Sequence, residues 1–275
     1  MKVSIIILSW NRKKDTIETL GSVANLTISD YELEVYELEV VVVDNHSTDG
    51  SPEAVEKIFR KLEKKNISCK QIKNKENLGF AAGNNVGMRY VLDAGADYLL
   101  ALNDDTQVDK DLIMKLLMVA KKHPKAGAIA PKIYFAKGFE FHDRYKKDEL
   151  GKVFWFAGGD IDWANVYGTN HGVDEVDKGQ FNKTRETDFA TGACMFLKSE
   201  ALKEVGLFDE KYFAYLEDAD LSQRLKKKGW KVLYTPKTKI WHKVSQSSGV
   251  GSDLNDYFIT RNRMLFGMYF APPFI

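Results

Sequence analysis

The fold is decided by Tyr98-Leu99-Leu100-Ala101-Leu102-Asn103-Asp104-Asp105, a short apolar run that stops abruptly on two carboxylates. In an open α/β sheet, ligands bind in the crevice outside the carboxyl ends of the strands. Adjacent carboxylates repel each other and are costly to desolvate, so a strand that ends on them needs a cation or several hydrogen-bond donors nearby. The alternative is a solvated loop that supplies the N-cap of the helix that follows in sequence. The stretch therefore predicts a buried strand with a candidate cation site at its end.

Around this strand, residues 1–134 alternate β-rich runs with helical stretches, which predicts βαβ units on a mostly parallel sheet. The predicted strands are Val3–Leu8, Glu39–Asp44, Cys69–Lys73, Tyr98–Leu102 and Gly127–Ile133. The predicted helices are Lys14–Asn25, Pro52–Lys65, Ala81–Ala94 and Lys110–His123, with Ser51 as the N-cap of the second. A tandem five-residue repeat, Tyr31–Val35 and Tyr36–Val40, is too short for a solenoid and indicates an extended loop that leads into a strand.

The second half of the chain has a different sequence pattern. Between Phe135 and Arg185 the periodicity weakens while aromatic, glycine and charged residues mix. A long irregular segment in a compact domain is often a lid or a binding loop. Regular strand and helix patterns return in the sequence from Asp188 onward. The sequence thus predicts a nucleotide-type first half and a second half that completes the site.

Composition limits the possible functions. The 275 residues are 44% hydrophobic, so the chain can bury a sizeable core, and its formal charge of +1 provides no global field for nucleic acid. The two cysteines, Cys69 and Cys194, imply neither a disulfide framework nor a zinc site, which favours a reducing, cytoplasmic setting. No apolar segment reaches the ~18 residues of a membrane span. The apolar segment Met264–Ile275 either packs on the core or touches lipid or a partner.

Three polar clusters follow predicted strands: Ser9–Arg12, Asp44–Ser51 and Asn103–Asp105. Parallel strands share one carboxyl face, so these clusters should meet at one edge of the sheet. Asp44 can accept a hydrogen bond from a nucleobase imide or a ribose hydroxyl. Ser47 offers a short donor beside a helix N-terminus that suits phosphate. The edge is therefore predicted to bind a nucleotide.

Three further motifs allow two interpretations each. Asn77–Asn85 is a glycine-containing turn into a helix, without the spacing of the common phosphate-binding motifs. The acids in Tyr215–Leu221 could simply complement a helix dipole, or one of them could be a general base. His242, after Trp241, could be structural or a ligand, and a lone histidine is more often structural.

Seven motifs in this order resemble the inverting glycosyltransferase family 2 with the GT-A fold: Ser4–Arg12, Val41–Ser51, Asn77–Asn85, Leu102–Asp105, Gly206–Glu210, Tyr215–Leu221 and Trp241-His242. The pattern is most similar to the branch of rhamnosyltransferases and galactofuranosyltransferases. The resemblance implies a Rossmann-like, mostly parallel central sheet flanked by helices, with a smaller acceptor-side region in the second half. Residues 1–134 would then bind the nucleotide-sugar, and residues 135–275 would form the acceptor-binding and catalytic half of the same domain.

The resemblance also implies roles for individual residues. Asp105 would ligate a Mg2+ or Mn2+ ion on the donor diphosphate, with His242 as a second ligand, while Asp218 would be the catalytic base and Glu217 its supporting neighbour. Asn103 replaces the first aspartate of the family's Asp-x-Asp motif, so an ion should bind mainly together with the diphosphate. Donor contacts are expected from Ser9, Asn11, Arg12, Asp44, Asn45, Ser47, Asn77, Gly79, Phe80, Gly83, Asn84, Asn103 and Asp104.

The expected activity is transfer of a hexosyl group from a UDP- or dTDP-linked donor to a hydroxyl of a glycan or lipid-linked saccharide. Asp218 would take the acceptor proton, with its pKa raised by apolar neighbours. A sugar nucleotidyltransferase would need a glycine-rich basic loop after the first strand, which Trp10–Lys13 does not supply. A catalytically silent binding module of the same fold is the other alternative. We expect a cytoplasmic protein, with peripheral contact at the inner face of the membrane left open.

Overall fold

A computed structural model describes residues 1–27, 37–244 and 253–273. Its strands are β1 Lys2–Ser9, β2 Glu37–Asp44, β3 Ser68–Lys73, β4 Tyr98–Asn103, β5 Thr106–Val108, β6 Ala126–Phe135, β7 Phe154–Phe156, β8 Gly159–Asp162, β9 Tyr167–Asn170, β10 Arg185–Glu186, β11 Cys194–Lys198 and β12 Lys231–His242. Its helices are α1 Lys13–Val23, α2 Ser51–Glu63, α3 Gly79–Asp93, α4 Leu112–Lys122, α5 Ser199–Val205, α6 Glu217–Lys227 and α7 Asp253–Phe270.

The predicted parallel sheet is confirmed at the centre of the fold. β1 pairs in parallel with both β2 and β4, and β2 pairs in parallel with β3. The near-continuous apolar runs in β1, β2 and β4 are buried on both faces, as parallel strands covered by helices require. In register, Ser9 lies opposite Asp44 and Leu8 lies opposite Asn103. The three polar clusters therefore leave the sheet at the same edge.

The second half of the chain enters this same sheet. Its order is β10-β12-β6-β11-β4-β1-β2-β3, with β5 added to β12 and β7 to β6. β11 runs antiparallel between β4 and β6, so β6 does not continue the parallel series directly. The side chains of residues 194–197 are apolar and buried, which suits a central strand. Both halves thus build the sheet edge that carries the site.

All five predicted strands and four predicted helices are present, with ends within two residues of the predictions. One local prediction is wrong: Ser51 is the first residue of α2, and the cap position belongs to Gly50, whose φ of 79° suits glycine. The hydroxyl of Ser51 donates instead to the carboxylate of Asp49. Of the tandem repeat, residues 31–36 lie outside the described residues, and its end forms part of β2.

The segment from 135 to 185 is more ordered than its weak periodicity indicated. It contains β7 and the antiparallel pair β8–β9. Phe154 and Phe156 are fully buried and pack against Phe181 and Phe189. Strands of three or four residues are too short to show a clear alternation, so the sequence pattern could not reveal them.

Helix α7 closes the described part of the chain. It buries Asn255, Asn262 and Phe266, and Phe266 stacks on Trp163. Among the described residues, no helix combines the length and apolar character that crossing a bilayer requires.

Candidate active site

The carboxyl edge of the sheet gathers polar side chains from distant parts of the sequence. Asp105 follows β4 and His242 ends β12, and their atoms Oδ1 and Nε2 lie 3.0 Å apart. Arg12, just before α1, places a guanidinium nitrogen 3.8 Å from Oδ2 of Asp105. The amide nitrogen of Asn103 lies 3.4 Å from Nε2 of the same histidine. The structure thus brings together both predicted metal ligands and two predicted donor contacts.

The carboxylate of Asp105 is almost enclosed, with 6% of the residue exposed. Burial alone would raise its pKa, but the neighbouring His242 and Arg12 more than offset that effect and lower the pKa. Asp105 therefore stays ionised at neutral pH. An ionised carboxylate is the form that binds a hard cation.

Backbone pairing fixes this arrangement. β5 pairs antiparallel with the end of β12, directly opposite His242. The amide of Lys243 then donates to the carbonyl of Asp105 at 3.0 Å. The ammonium group of Lys243 lies 2.7 Å from Asp15, which also accepts from Arg12 at 2.6 Å. The ends of β4, β12 and α1 are consequently held in one network of alternating charge.

A divalent ion fits at Asp105 and His242. Two neighbouring ligands of an octahedral ion with bonds of about 2.1 Å lie about 3.0 Å apart, and the oxygen and nitrogen have that separation. Oδ1 of Asp105 and Nδ1 of His242 are buried without a hydrogen bond of acceptable geometry among the described residues. In the same residues no group of three or more His, Cys, Asp or Glu side chains is arranged to hold a metal. The chain offers two ligands, so the others would have to come from substrate and water.

Asp104 turns away from this pair. Its carboxylate accepts a hydrogen bond from the hydroxyl of Thr16 at 3.2 Å, and its carbonyl accepts from Thr19 at 2.8 Å. Burial, together with the adjacent Asp105 carboxylate, raises the pKa of Asp104 to about 7. Predicted as a donor contact, Asp104 fastens the end of β4 to α1 in the structure.

Asn45 and Asn77, also predicted as donor contacts, organise the loop before α3. Nδ2 of Asn45 donates to Oδ1 of Asn77 at 2.7 Å and to the carbonyl of Gly79 at 3.1 Å. Oδ1 of Asn45 accepts from Asn74 at 2.9 Å and from the amide of Leu78 at 3.1 Å. These bonds use the full capacity of the Asn45 amide group. Its contribution in the structure is to hold the loop.

The loops after β1 and β2 are joined by other predicted residues. The backbone amide of Asn11 donates to Ser47 at 2.9 Å, and its side-chain oxygen accepts from the amide of Thr48 at 2.7 Å. Asp44 accepts from the amide of Ser47 at 3.2 Å. An open cleft of about 390 Å³ beside these loops is lined by Trp10, Asn11, Arg12, Lys13, Lys14, Asp15 and Asp49. Asn11 and the largely buried Arg12 therefore line an open cleft at the edge that carries the carboxylates.

Three predicted donor contacts have packing roles. Ser9 is 1% exposed and shares a hydrogen bond with a hydroxyl on α1. A Cβ atom at Gly83 would lie 2.6 Å from the side chain of Leu8. Asn84 is 2% exposed and donates to the carbonyl of Phe80 in its own helix at 2.9 Å. These residues let the helices pack closely on the sheet.

Gly79 and Phe80 begin α3 against the turn that precedes α6. Gly79 has a φ of 78°, and a Cβ atom there would lie 2.5 Å from the ring of Phe213. The amides of Phe80 and Ala81 donate to the carbonyl of Phe213 at 2.6 and 3.0 Å. Two residues predicted on the nucleotide side therefore also support the segment that carries the predicted base.

Asp218, the predicted base, lies in the first turn of α6. Its carboxylate oxygens accept from the backbone amides of Gly192 and Ala219, each at 2.8 Å. Burial raises the pKa of Asp218 even though these donors oppose the shift. Burial and the charge of Asp218 also raise the pKa of Glu217 well above its usual value. Oε2 of Glu217 is buried without a hydrogen-bond partner within the described ranges.

Asp220, the third acid of this motif, is structural. It lies 2.5 Å from Arg224 and accepts from the hydroxyl of Tyr212 at 3.2 Å. Arg224 also donates to the carbonyls of Val205 and Leu207, each at 2.7 Å. Spacing alone did not separate Asp220 from Asp218, but their partners do.

A short loop before β11 joins the two carboxylate clusters. The carbonyl of Ala193 accepts from the amide of Asn103 at 3.0 Å, while the neighbouring amide of Gly192 binds Asp218. A Cβ atom on Gly192 would lie 3.2 Å from the ring of Phe80, closer than most side-chain contacts. Gly192 is not among the predicted site residues, and its signal in the sequence is a glycine two residues before a buried strand.

The overall architecture is that of solved glycosyltransferases. The chain superposes on GalNAc-T7 with UDP, GalNAc and Mn2+ with a TM-score of 0.66 and 18% identity, covering 88% of this chain and 44% of that one. It superposes on the mannosyltransferase PcManGT from Pyrobaculum calidifontis, in complex with GDP-Man and Mn2+, with a TM-score of 0.61 and 18% identity, covering 98% and 66%. The predicted GT-A fold is confirmed.

Within that class, residues 4–206 match the family described as Glycosyl transferase family 2, and the chain belongs to this family. A curated relative is the N-acetylglucosaminyl-diphospho-decaprenol L-rhamnosyltransferase of Mycobacterium tuberculosis (strain CDC 1551 / Oshkosh). It is 28% identical over 221 residues, covering 77% of this chain and 68% of the relative. The chain spans about half the length of other curated relatives. The family match ends before Asp218 and His242, so the case for their roles has to be made from the distances and hydrogen bonds in the structure.

Proposed function

We propose that this protein is an inverting glycosyltransferase that moves a sugar from a UDP- or dTDP-linked donor to a hydroxyl of a glycan or lipid-linked saccharide. The observation that carries the proposal is the contrast between its two carboxylates. Asp105 has a lowered pKa beside Arg12 and His242, whereas Asp218 has a raised pKa and is held by backbone amides. The carboxylate of Asp105 therefore suits binding of a cation, and the carboxylate of Asp218 suits acceptance of a proton.

At the donor end, Asp105 and His242 would hold a Mg2+ or Mn2+ ion. Such an ion acts as a Lewis acid and neutralises charge on a departing nucleoside diphosphate. Arg12 lies close enough to add positive charge to the same end of the cleft. Asn103 offers an amide in place of a carboxylate, so a bound ion would need further ligands from the diphosphate. Donor binding and metal binding are therefore expected to be coupled.

At the acceptor end, Asp218 takes the proton from the attacking hydroxyl. The amides of Gly192 and Ala219 fix both oxygens of its carboxylate, which sets the direction in which it accepts a proton. A raised pKa makes the carboxylate a stronger base near neutral pH. Attack from the face opposite the leaving diphosphate would invert the anomeric configuration.

The two halves of the chain then divide the work. Residues 1–134 hold the nucleotide. Its contacts come from the loops that carry Asn11, Arg12, Asp44 and Ser47, and the buried donor-contact candidates hold these loops in place. Residues 135–275 supply the base and receive the acceptor. The relative named for N-acetylglucosaminyl-diphospho-decaprenol supports a lipid-linked acceptor. Exposed apolar residues on α7 give such an acceptor, or the inner face of the membrane, a surface to contact: Leu254, Tyr257, Met264 and Met268.

A panel of radiolabelled UDP- and dTDP-sugars, offered with Mn2+ and lipid-linked saccharide acceptors, tests the proposal. We expect transfer from one donor class, with NMR of the product showing the anomeric configuration opposite to that of the donor. Product with retained configuration would contradict the inverting assignment. Tight nucleotide-sugar binding without turnover for any acceptor would instead favour the silent binding module.

A further inference from the structure

Helix α7 reaches the turn before Asp218 through one buried amide group. Nδ2 of Asn262 lies 2.9, 2.7 and 2.8 Å from the carbonyl oxygens of Tyr212, Ala214 and Tyr215. Asn262 has no exposed surface. The two N–H groups of this one side chain, distant in sequence, are thus shared among three carbonyls of the turn.

Arg261 fixes the orientation of this amide. Its Nε atom donates to Oδ1 of Asn262 at 2.9 Å. A guanidinium only donates and a carbonyl only accepts, so the amide fits in one orientation, with its nitrogen toward the turn. Arg261 also donates to the carbonyl of Tyr212 at 3.0 Å and lies over the ring of Phe258.

The turn itself has an unusual backbone. Phe213, Tyr215 and Leu216 have φ angles of 60°, 72° and 70°. Residues with side chains rarely adopt this left-handed region, and they keep it only where the surroundings enforce it. The carbonyl of Phe213 is held by the start of α3. The four successive carbonyls from 212 to 215 are therefore all bound by other elements.

The turn leads directly into the catalytic segment. The carbonyl of Leu216 accepts the first helical hydrogen bond of α6 from Asp220 at 2.9 Å. A change of φ in this turn would rotate the first turn of α6. Asp218 would then lose its 2.8 Å contact with Gly192.

We propose that Asn262 is a positioning residue for the general base. Its amide enforces the left-handed turn, and the turn in turn holds the carboxylate of Asp218 against Gly192. This inference rests on the proposed function, in which Asp218 receives the acceptor proton.

The test compares Asn262→Ala with Phe266→Leu in the full chain. Phe266 lies one turn further along α7, is 1% exposed and packs on Trp163, so its variant loosens the same helix while keeping the Asn262 hydrogen bonds to the turn. Hydrogen exchange measures protection of the 212–219 backbone. Steady-state kinetics measure kcat, the KM for the donor, and the pH dependence of kcat below the melting temperature of both variants.

Asn262→Ala is expected to increase exchange in 212–219, to lower kcat at least tenfold with donor KM within twofold, and to move the acid limb of the pH profile. Phe266→Leu should leave kcat within twofold. Equal losses of kcat in both variants, or unchanged exchange and kcat in a folded Asn262→Ala protein, would overturn the inference. If wild-type protein transfers no sugar, the proposed function fails, and the exchange data still decide whether Asn262 holds the turn. Unchanged exchange would then overturn the inference separately.

Discussion

Two acidic clusters, one at the end of β4 and one at the start of α6, look alike in sequence and differ in surroundings. Around Asp105 the structure places Arg12 and His242, and the pKa of the carboxyl group is lowered. Around Asp218 it places backbone amides and buried Glu217, and burial raises the pKa of both acids. The pKa of the same functional group is therefore shifted downward in one cluster and upward in the other.

The neighbouring groups, and not the residue type, therefore set the role of a carboxylate. Each cluster also contains one acid that serves the fold. Asp104 is tied to α1 and Asp220 is tied to Arg224. Each cluster thus contains a structural acid beside the acid for which we propose a chemical role, and the α6 cluster also contains the buried Glu217.

The largest expected effect comes from removing the proposed base, Asp218. Asp218→Asn keeps the shape of the side chain and removes its ability to accept a proton. We expect kcat to fall by roughly two to four orders of magnitude, the usual contribution of a general base, with donor affinity preserved. Single-turnover assays check this, and a loss of less than tenfold with unchanged KM would assign the base to another residue.

A smaller effect is expected at the other cluster. His242→Ala removes one of the two proposed metal ligands, and should raise the Mn2+ concentration for half-maximal activity by at least about 10- to 100-fold, the usual effect of losing a residue that only orients a metal ligand. His171→Ala is a suitable control, because that histidine pairs with Asp160 on the β8–β9 hairpin. A lower melting temperature of the metal-free protein, without any change in metal requirement, would make His242 a structural residue.

The smallest effect concerns stability. Glu217 is buried with a raised pKa, so the folded protein holds this proton at pH values where the unfolded chain has released it. Stability of the wild type should therefore fall as pH rises through the interval above the ordinary value of 4.5. Glu217→Gln lacks this loss and should be more stable than the wild type at pH 8, with little difference near pH 4.5. Urea unfolding at both pH values measures this, and an equal effect at both would show that charge burial is not the cause.

Much of the nucleotide-side architecture was predictable because it depends on local pattern. The apolar runs of β1, β2 and β4 indicated buried parallel strands, and parallel strands carry their polar ends to one edge. The contact between Asp105 and His242 followed only from the family resemblance, since the two residues are far apart in the chain. Long-range pairing of this kind leaves no periodic signal.

Other features depend on contacts that spacing does not encode. β11 enters between β4 and β6 because its buried apolar residues fit there, and four apolar residues do not specify a neighbour. The side-chain amide of Asn45 makes its hydrogen bonds within a loop, and the amide of Asn262 donates to carbonyls of a turn nearly 50 residues earlier. Such hydrogen-bond partners are decided by tertiary packing, so they appear only once the chain is folded.

The central claim is that the β4 cluster holds the metal and diphosphate while the α6 cluster does not. Calorimetry of UDP and dTDP binding, with and without Mn2+, tests it in wild type, Asp105→Ala and Asp218→Asn. We expect Asp105→Ala to lose the metal-dependent part of the affinity and Asp218→Asn to keep it. Unchanged metal dependence in Asp105→Ala, or an equal loss in Asp218→Asn, would contradict it.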